Sequence, residues 1–143
     1  MKRVLFISST GGHLNELLQL KPMFKKYDSY IITENTKSNL KLKEEYGKKI
    51  NFLVYGTKHK PLIYPFKLLY NCFKSLFLYF KIRPLCSIGK IFGSKIIYIE
   101  TFANINTKTI TGRLIYKFAD LFIVQWEEML ELYPKAVYWG WIF

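Results

Sequence analysis

A continuous apolar run, Val4 to Ser8, stops at "STGGH" and passes at once into a leucine-rich segment. No feature constrains the fold more. An unbroken apolar run bounded by turn residues is the pattern of a strand buried on both faces, and such strands belong to parallel sheets covered by helices. The rest of the chain repeats the theme. Leu14, Leu17, Leu18 and Met23 fall near helical spacing, with Pro22 expected near that helix's end. Tyr30–Thr33 and Ile50–Tyr55 are expected as strands, Ser38–Tyr46 as a polar helix closed by Gly47, and Tyr64–Ile82 as a long helix. Leu85–Phe92 is expected as a short helix closed by Gly93, Lys95–Ile99 as a strand and Thr109–Phe118 as a helix. Leu121–Val124, Glu127–Leu132 and Ala136–Tyr138 complete the pattern as strand, helix and strand. Alternating strands and helices imply an α/β fold with a parallel, doubly wound sheet. At 143 residues this is expected to be a single Rossmann-like domain over 1–143. One place breaks the alternation. After Arg83-Pro84 a second helix is expected with no strand between, so either the sheet lacks that strand or the residues that form it and its loop are missing between 84 and 85.

Function begins at the end of the first strand, because ligands of parallel sheets gather at the carboxyl ends of the strands. Gly11 and Gly12 let backbone N–H groups approach an anion, the helix beyond adds its positive end, and Ser9 and Thr10 supply hydroxyls. These are the parts of a diphosphate cradle. No Walker lysine follows and no full G-x-G-x-x-G is present, which excludes a P-loop NTPase and a dinucleotide fingerprint. His13 can orient or deprotonate a sugar hydroxyl, or simply cap the loop.

Charge and aromatics add a second theme. Lys plus Arg number 22 against 10 Asp plus Glu, a net charge of +12, which attracts polyanions. In "YPFKLLYNCFKSLFLYFKI", Lys67, Lys74 and Lys81 recur every seven residues and share a helical face, while Phe66, Phe73, Phe77 and their neighbours cover a wide apolar arc. The lysines argue against a membrane span, and a basic aromatic amphipathic helix is what lies flat at a bilayer surface. The alternative is a helix packed on the sheet by a broad face. Tyr138, Trp139, Trp141 and Phe143 crowd the C-terminus, which favours a subunit interface. Cys72 and Cys86 lack metal-site spacing and are expected as reduced thiols; no metal or cofactor is expected.

"SSTGGHLNELLQL", "IIYIETFANINTKTITGRLIYKFAD", "LFIVQWEEMLELYPKAVYWG" and the final "WIF" together resemble the acceptor-binding half of the MurG-like, GT-B glycosyltransferases. The resemblance is strongest to the membrane-anchoring subunit of the split N-acetylglucosaminyltransferase of N-glycan assembly and its bacterial capsule and exopolysaccharide counterparts. It implies the N-terminal half of a GT-B fold that binds a polyprenyl-diphosphate-linked saccharide, with a separate catalytic subunit holding the nucleotide sugar. Gly11, Gly12 and His13 would then face the diphosphate or acceptor sugar. Glu100 would be catalytic on the same rim, with Thr101 to Asn104 as the loop behind it, and Trp139, Trp141, Ile142 and Phe143 would dock the partner. The family pattern carries a strand and a glycine-rich loop after "RP", the segment missing here. The resemblance further implies a hexosyltransferase subunit inactive alone, peripheral on the cytoplasmic face of the cell membrane, without the N-terminal anchor of its eukaryotic relatives. Two other classes compete. A nucleic-acid-binding module suits the charge but lacks any recognition motif, so nucleic acid is not expected as a partner; a structural membrane adaptor would need neither His13 nor Glu100.

Overall fold

The computed structural model describes residues 1–56, 63–82 and 95–142. The strands are parallel and alternate with helices, a Rossmann-like α/β arrangement as expected. The chain divides into two compact units, Met1–Pro84 and Leu85–Phe143. The expected helix Leu85–Phe92 and the junction at Pro84 lie outside the described residues, as do His59, Cys86 and Phe143.

In the first unit, strands β1 (Arg3–Ile7), β2 (Asp28–Glu34) and β3 (Ile50–Leu53) form a sheet in the order β1-β2-β3. The register pairs Leu5 with Tyr30 and Ile31 with Ile50. Because side chains alternate along a strand, Phe6, Ile31 and Ile50 share one face. They pack against Leu17, Leu20 and Phe24 of helices α1 (Gly12–Gln19) and α2 (Lys21–Lys26) and their junction, and against Leu42 and Tyr46 of α3 (Leu42–Tyr46). Where one helix was expected through Pro22, the chain forms two. Pro22 stands in the first turn of α2 rather than at an end, where its missing N–H costs nothing and its fixed φ suits a helix start. Gly47 closes α3 at φ 54°, as its position suggested.

Helix α4 (Tyr64–Ile82) lies along β3, with its expected boundaries. Asn71 pins it there: its amide donates to the Val54 carbonyl at 2.8 Å and accepts the Val54 N–H at 2.9 Å. At the other end, Arg3 donates to the carbonyl of Ile82 at 3.1 Å.

In the second unit, β4 (Ile97–Ile99), β5 (Leu121–Val124) and β6 (Val137–Tyr138) form a sheet in that order. Helices α5 (Ile110–Ile115) and α6 (Met129–Leu132) connect them. The core gathers Phe122, Val124, Met129 and Tyr133, with Tyr98 stacked on Phe122 at 4.8 Å between ring centres. Thr109 caps α5, accepting the Gly112 N–H at 2.8 Å, so the helix starts one residue later than expected.

Candidate functional site

The turn after β1 leaves backbone N–H groups at the start of α1 open among the described residues. Gly11 adopts φ 77° and ψ −138°, a conformation that side-chain-bearing residues rarely reach, and this swings the chain from the strand into α1. Its carbonyl takes the N–H groups of Leu14 and Asn15. The N–H groups of Gly12 and His13 precede them and make no hydrogen bond among the described residues. A Cβ on either glycine would meet nothing within 4 Å, so the space above the turn is open. Gly11, Gly12 and His13 are all exposed. The Thr10 N–H, in contrast, is already spent on Glu34 Oε2 at 3.2 Å, and the Thr10 hydroxyl accepts from Asn39 Nδ2 at 3.2 Å. Ser8 holds its own strand end, its N–H donating to the Ile32 carbonyl and its hydroxyl to the Ser9 carbonyl.

Glu34 and Asn39 carried no signal in the sequence. Only the parallel register, which sets the end of β2 beside the end of β1, brings them to the turn.

Helix α4 splits into opposed faces. At 100° per residue, Asn71, Leu78 and Ile82 share one side. Asn71 binds the backbone there and Leu78 and Ile82 are buried. On the far side, Phe66 is 74% exposed, Phe73 and Phe77 are each 64% exposed, and Leu69, Tyr70 and Phe80 continue the stripe. Lys67, Lys74 and Lys81 run along one flank of it. Lys67 Nζ donates to the Tyr55 carbonyl at 3.2 Å, and Lys74 Nζ lies 5.7 Å from the centre of the Tyr70 ring. Among the described residues no carboxylate pairs with any of the three lysines. No described helix is long and apolar enough to cross a membrane.

Glu100, expected on the rim, is 1% exposed. Its carboxylate accepts from the Thr109 hydroxyl at 2.9 and 3.0 Å, the Thr101 N–H at 3.0 Å, the Tyr133 hydroxyl at 3.1 Å and the Tyr98 hydroxyl at 3.3 Å. This is a tether joining the end of β4 to the cap of α5 and to the residue after α6, with both carboxylate oxygens engaged within the protein. Burial pushes the Tyr98 phenol up to about 12, the Thr109 hydrogen bond opposing and the Glu100 charge adding to it. Burial and then the same charge raise Tyr133 further.

Beyond Glu100, Ala103 donates its N–H to the Thr101 hydroxyl, and Asn104 is half-buried in the same loop. Phe102 joins Trp126 and Trp141 in an aromatic cluster, with ring centres 4.7 Å and 5.7 Å from its own. Trp126 Nε1 donates to the Phe102 carbonyl at 2.8 Å, and the Ile142 N–H donates to Gln125 Oε1 at 3.1 Å. The C-terminal residues are therefore held in place, while Trp139 stands out, 66% exposed. His13 belongs to the first unit, and Glu100 and the C-terminal aromatics to the second. Among the described residues no cluster of His, Cys, Asp or Glu is arranged to hold a metal ion.

The class follows from the fold. MurG of Acinetobacter baumannii, a GT-B structure, matches with a TM-score of 0.65 over 90% of this chain and 43% of that one, at 15% identity, a likeness that speaks for the fold alone. The chain thus has a Rossmann-like α/β fold of the kind found in GT-B structures. It belongs, more narrowly, to the Alg14-like oligosaccharide biosynthesis proteins, whose family profile matches residues 62–142.

Curated relatives named as UDP-N-acetylglucosamine transferase subunit ALG14 agree. The Kluyveromyces lactis protein is 49% identical over 47 residues, 33% of this chain and 20% of that protein. The Yarrowia lipolytica protein is 32% identical over 83 residues, 58% of this chain and 37% of that protein. The match to these fungal relatives thus spans well under half of their length. The mouse protein is 27% identical over 177 aligned positions, covering 96% of this chain and 82% of that protein. That alignment is longer than the 143 residues here, so the mouse protein carries segments inside the matched region that this chain lacks.

Proposed function

We propose that this chain is the acceptor-binding, membrane-docked and activating subunit of a two-component UDP-sugar glycosyltransferase that extends a polyprenyl-diphosphate-linked saccharide. The carrying observation is the open Gly11–Gly12–His13 turn at a strand's carboxyl end in a chain of the Alg14-like family. The unpaired N–H groups of Gly12 and His13 and the positive end of α1 suit a diphosphate. His13 would orient or deprotonate a hydroxyl of the acceptor sugar. Glu100 acts through the loop it holds, Thr101 to Asn104, rather than by touching the acceptor. In this reading 1–143 is a single acceptor-binding domain with a strand and glycine-rich loop of the family pattern missing between 84 and 85, and the longer mouse alignment agrees with a segment missing from within the chain.

The exposed stripe of α4 supports the membrane role. Burying one such phenylalanine is worth about 1.5–3 kcal/mol, so a row of them opposite the packed face favours an apolar surface such as a bilayer interface. The flanking lysines meet anionic headgroups. In this reading the chain docks on the cytoplasmic face of the cell membrane, beside a lipid-borne substrate, with a bacterial capsule or exopolysaccharide as the product class. Trp139, Trp141 and Ile142, together with Phe143, which lies outside the described residues, would meet the catalytic, nucleotide-sugar-binding partner, without which the chain is inactive.

Co-expression with a candidate partner, followed by assay with membrane lipid extract and a panel of UDP-sugars, tests the proposal. Transfer is expected only from the pair, and His13→Ala is expected to lower turnover at least tenfold. Undiminished turnover in that variant would leave a structural adaptor instead. The charge of +12 also favours a nucleic-acid reading. RNA binding in physiological salt, with no binding to anionic liposomes, would overturn the membrane role in its favour.

A further inference from the structure

The turn after β1 is held from outside as well as by its own bonds. Its conformation is set from the end of β2, where Glu34 and Asn39 grip Thr10 on both its backbone and its side chain. Glu34 Oε2 accepts the Thr10 N–H at 3.2 Å. Asn39 is buried, and its Nδ2 donates to the Thr10 hydroxyl at 3.2 Å and to the Glu34 backbone carbonyl at 3.0 Å. The Thr36 hydroxyl lies 3.4 Å from the Thr10 hydroxyl and completes the contact. Thr10 immediately precedes the strained Gly11, so fixing Thr10 fixes where the Gly12 and His13 N–H groups point.

We infer that Glu34 is a positioning residue for the diphosphate turn: its carboxylate oxygen orders the donors, while its negative charge opposes the anion they bind. The inference rests on the acceptor reading above and deepens it. It also separates two properties of one side chain. The hydrogen bond requires an acceptor oxygen, which glutamine supplies as well as glutamate. The charge is needed by no partner: among the described residues no lysine or arginine pairs with Glu34. A like charge beside a bound dianion weakens it through Coulomb repulsion, more at low salt than at high.

Two variants divide these effects, because both are neutral and only one can accept the Thr10 N–H. Amide exchange and amide chemical-shift titration with inorganic pyrophosphate at low salt, on the full chain, read the outcome. In Glu34→Gln the Thr10 amide is expected to stay protected and pyrophosphate to bind about threefold more tightly than to the wild type. In Glu34→Ala the Thr10 amide is expected to exchange about tenfold faster, and pyrophosphate to bind about fivefold more weakly than to Glu34→Gln. A role in stability alone would not order the affinities in this way. Equal affinities for the two variants, or a Thr10 amide equally protected in Glu34→Ala, would overturn the inference while leaving the acceptor site standing. No binding of pyrophosphate by the wild type would instead bring down the acceptor reading and this inference with it.

Discussion

A methyl group at Gly112 would fall inside contact distance of Glu100 Oε2, the Tyr133 hydroxyl and Thr109 Oγ1. Gly112 therefore lacks a side chain for want of space, its backbone N–H serving the Thr109 cap instead. Gly112→Ala is expected to cost about 2–4 kcal/mol, read as a lowered urea midpoint, since the oxygens it meets belong to a buried hydrogen-bonded cage that cannot retreat without losing bonds. Glu100→Gln tests the cage itself. An amide NH2 in place of one oxygen turns a donor toward hydroxyls that now donate, and a loss of about 1–3 kcal/mol is expected in the same measurement. The sequence placed Glu100 correctly at the end of its strand, but exposure there is decided by what folds over it. Thr109 and Tyr133 lie 9 and 33 residues further on, and nothing local announces that they converge. Gly11 was legible because a glycine pair between an apolar run and a helix has few other uses. Its partner Glu34, 24 residues from Thr10, was not.

At the scale of elements, α4 was read with its full extent because nineteen residues of uninterrupted amphipathic pattern leave no other assignment. The short helices were read too long. Residues Ser38 to Lys41 form turns before α3, and α6 begins at Met129 rather than Glu127, because polar residues near a terminus are as content in a turn as in a helix. The wide apolar arc of α4 left two outcomes open at the sequence level, packing or membrane contact. The structure gives the helix a packed side and an opposed exposed side. Phe73→Ser is accordingly expected to leave the thermal midpoint unchanged, since that side chain packs on little, while weakening partition onto anionic vesicles about tenfold in a flotation assay. A lowered midpoint with unchanged partition would mean that the stripe faces protein instead.

Over the whole molecule the charge balance makes ion pairs poor supports. Lys21–Glu45, Lys49–Asp28 and Lys95–Asp120 are at the surface, with lysine side chains more than half exposed, and such pairs contribute little each. Alkaline stability depends more on buried phenols, and each unit carries its own. Burial, aided by Glu45, raises Tyr46 to about 12 in the first unit, and burial raises Tyr98 to about 12 in the second. An unfolded tyrosine titrates near 10, so between these values the unfolded chain releases a proton that the folded chain keeps. The folded state is therefore favoured in full below about pH 10, and that contribution is lost as pH rises through about 12. Thermal midpoints are expected to hold up to pH 10 and fall steadily above it. Tyr46→Phe tests this, because the second unit holds two raised phenols, Tyr98 and Tyr133, and Tyr46 stands by itself in the first among the described residues. It is expected to flatten the fall for the first unit and to leave the response of the second unit, set by Tyr98 and Tyr133, unchanged. Amide exchange resolved by residue distinguishes the two. A fall of equal steepness in both units of the variant would show that the raised phenols do not set the alkaline transition.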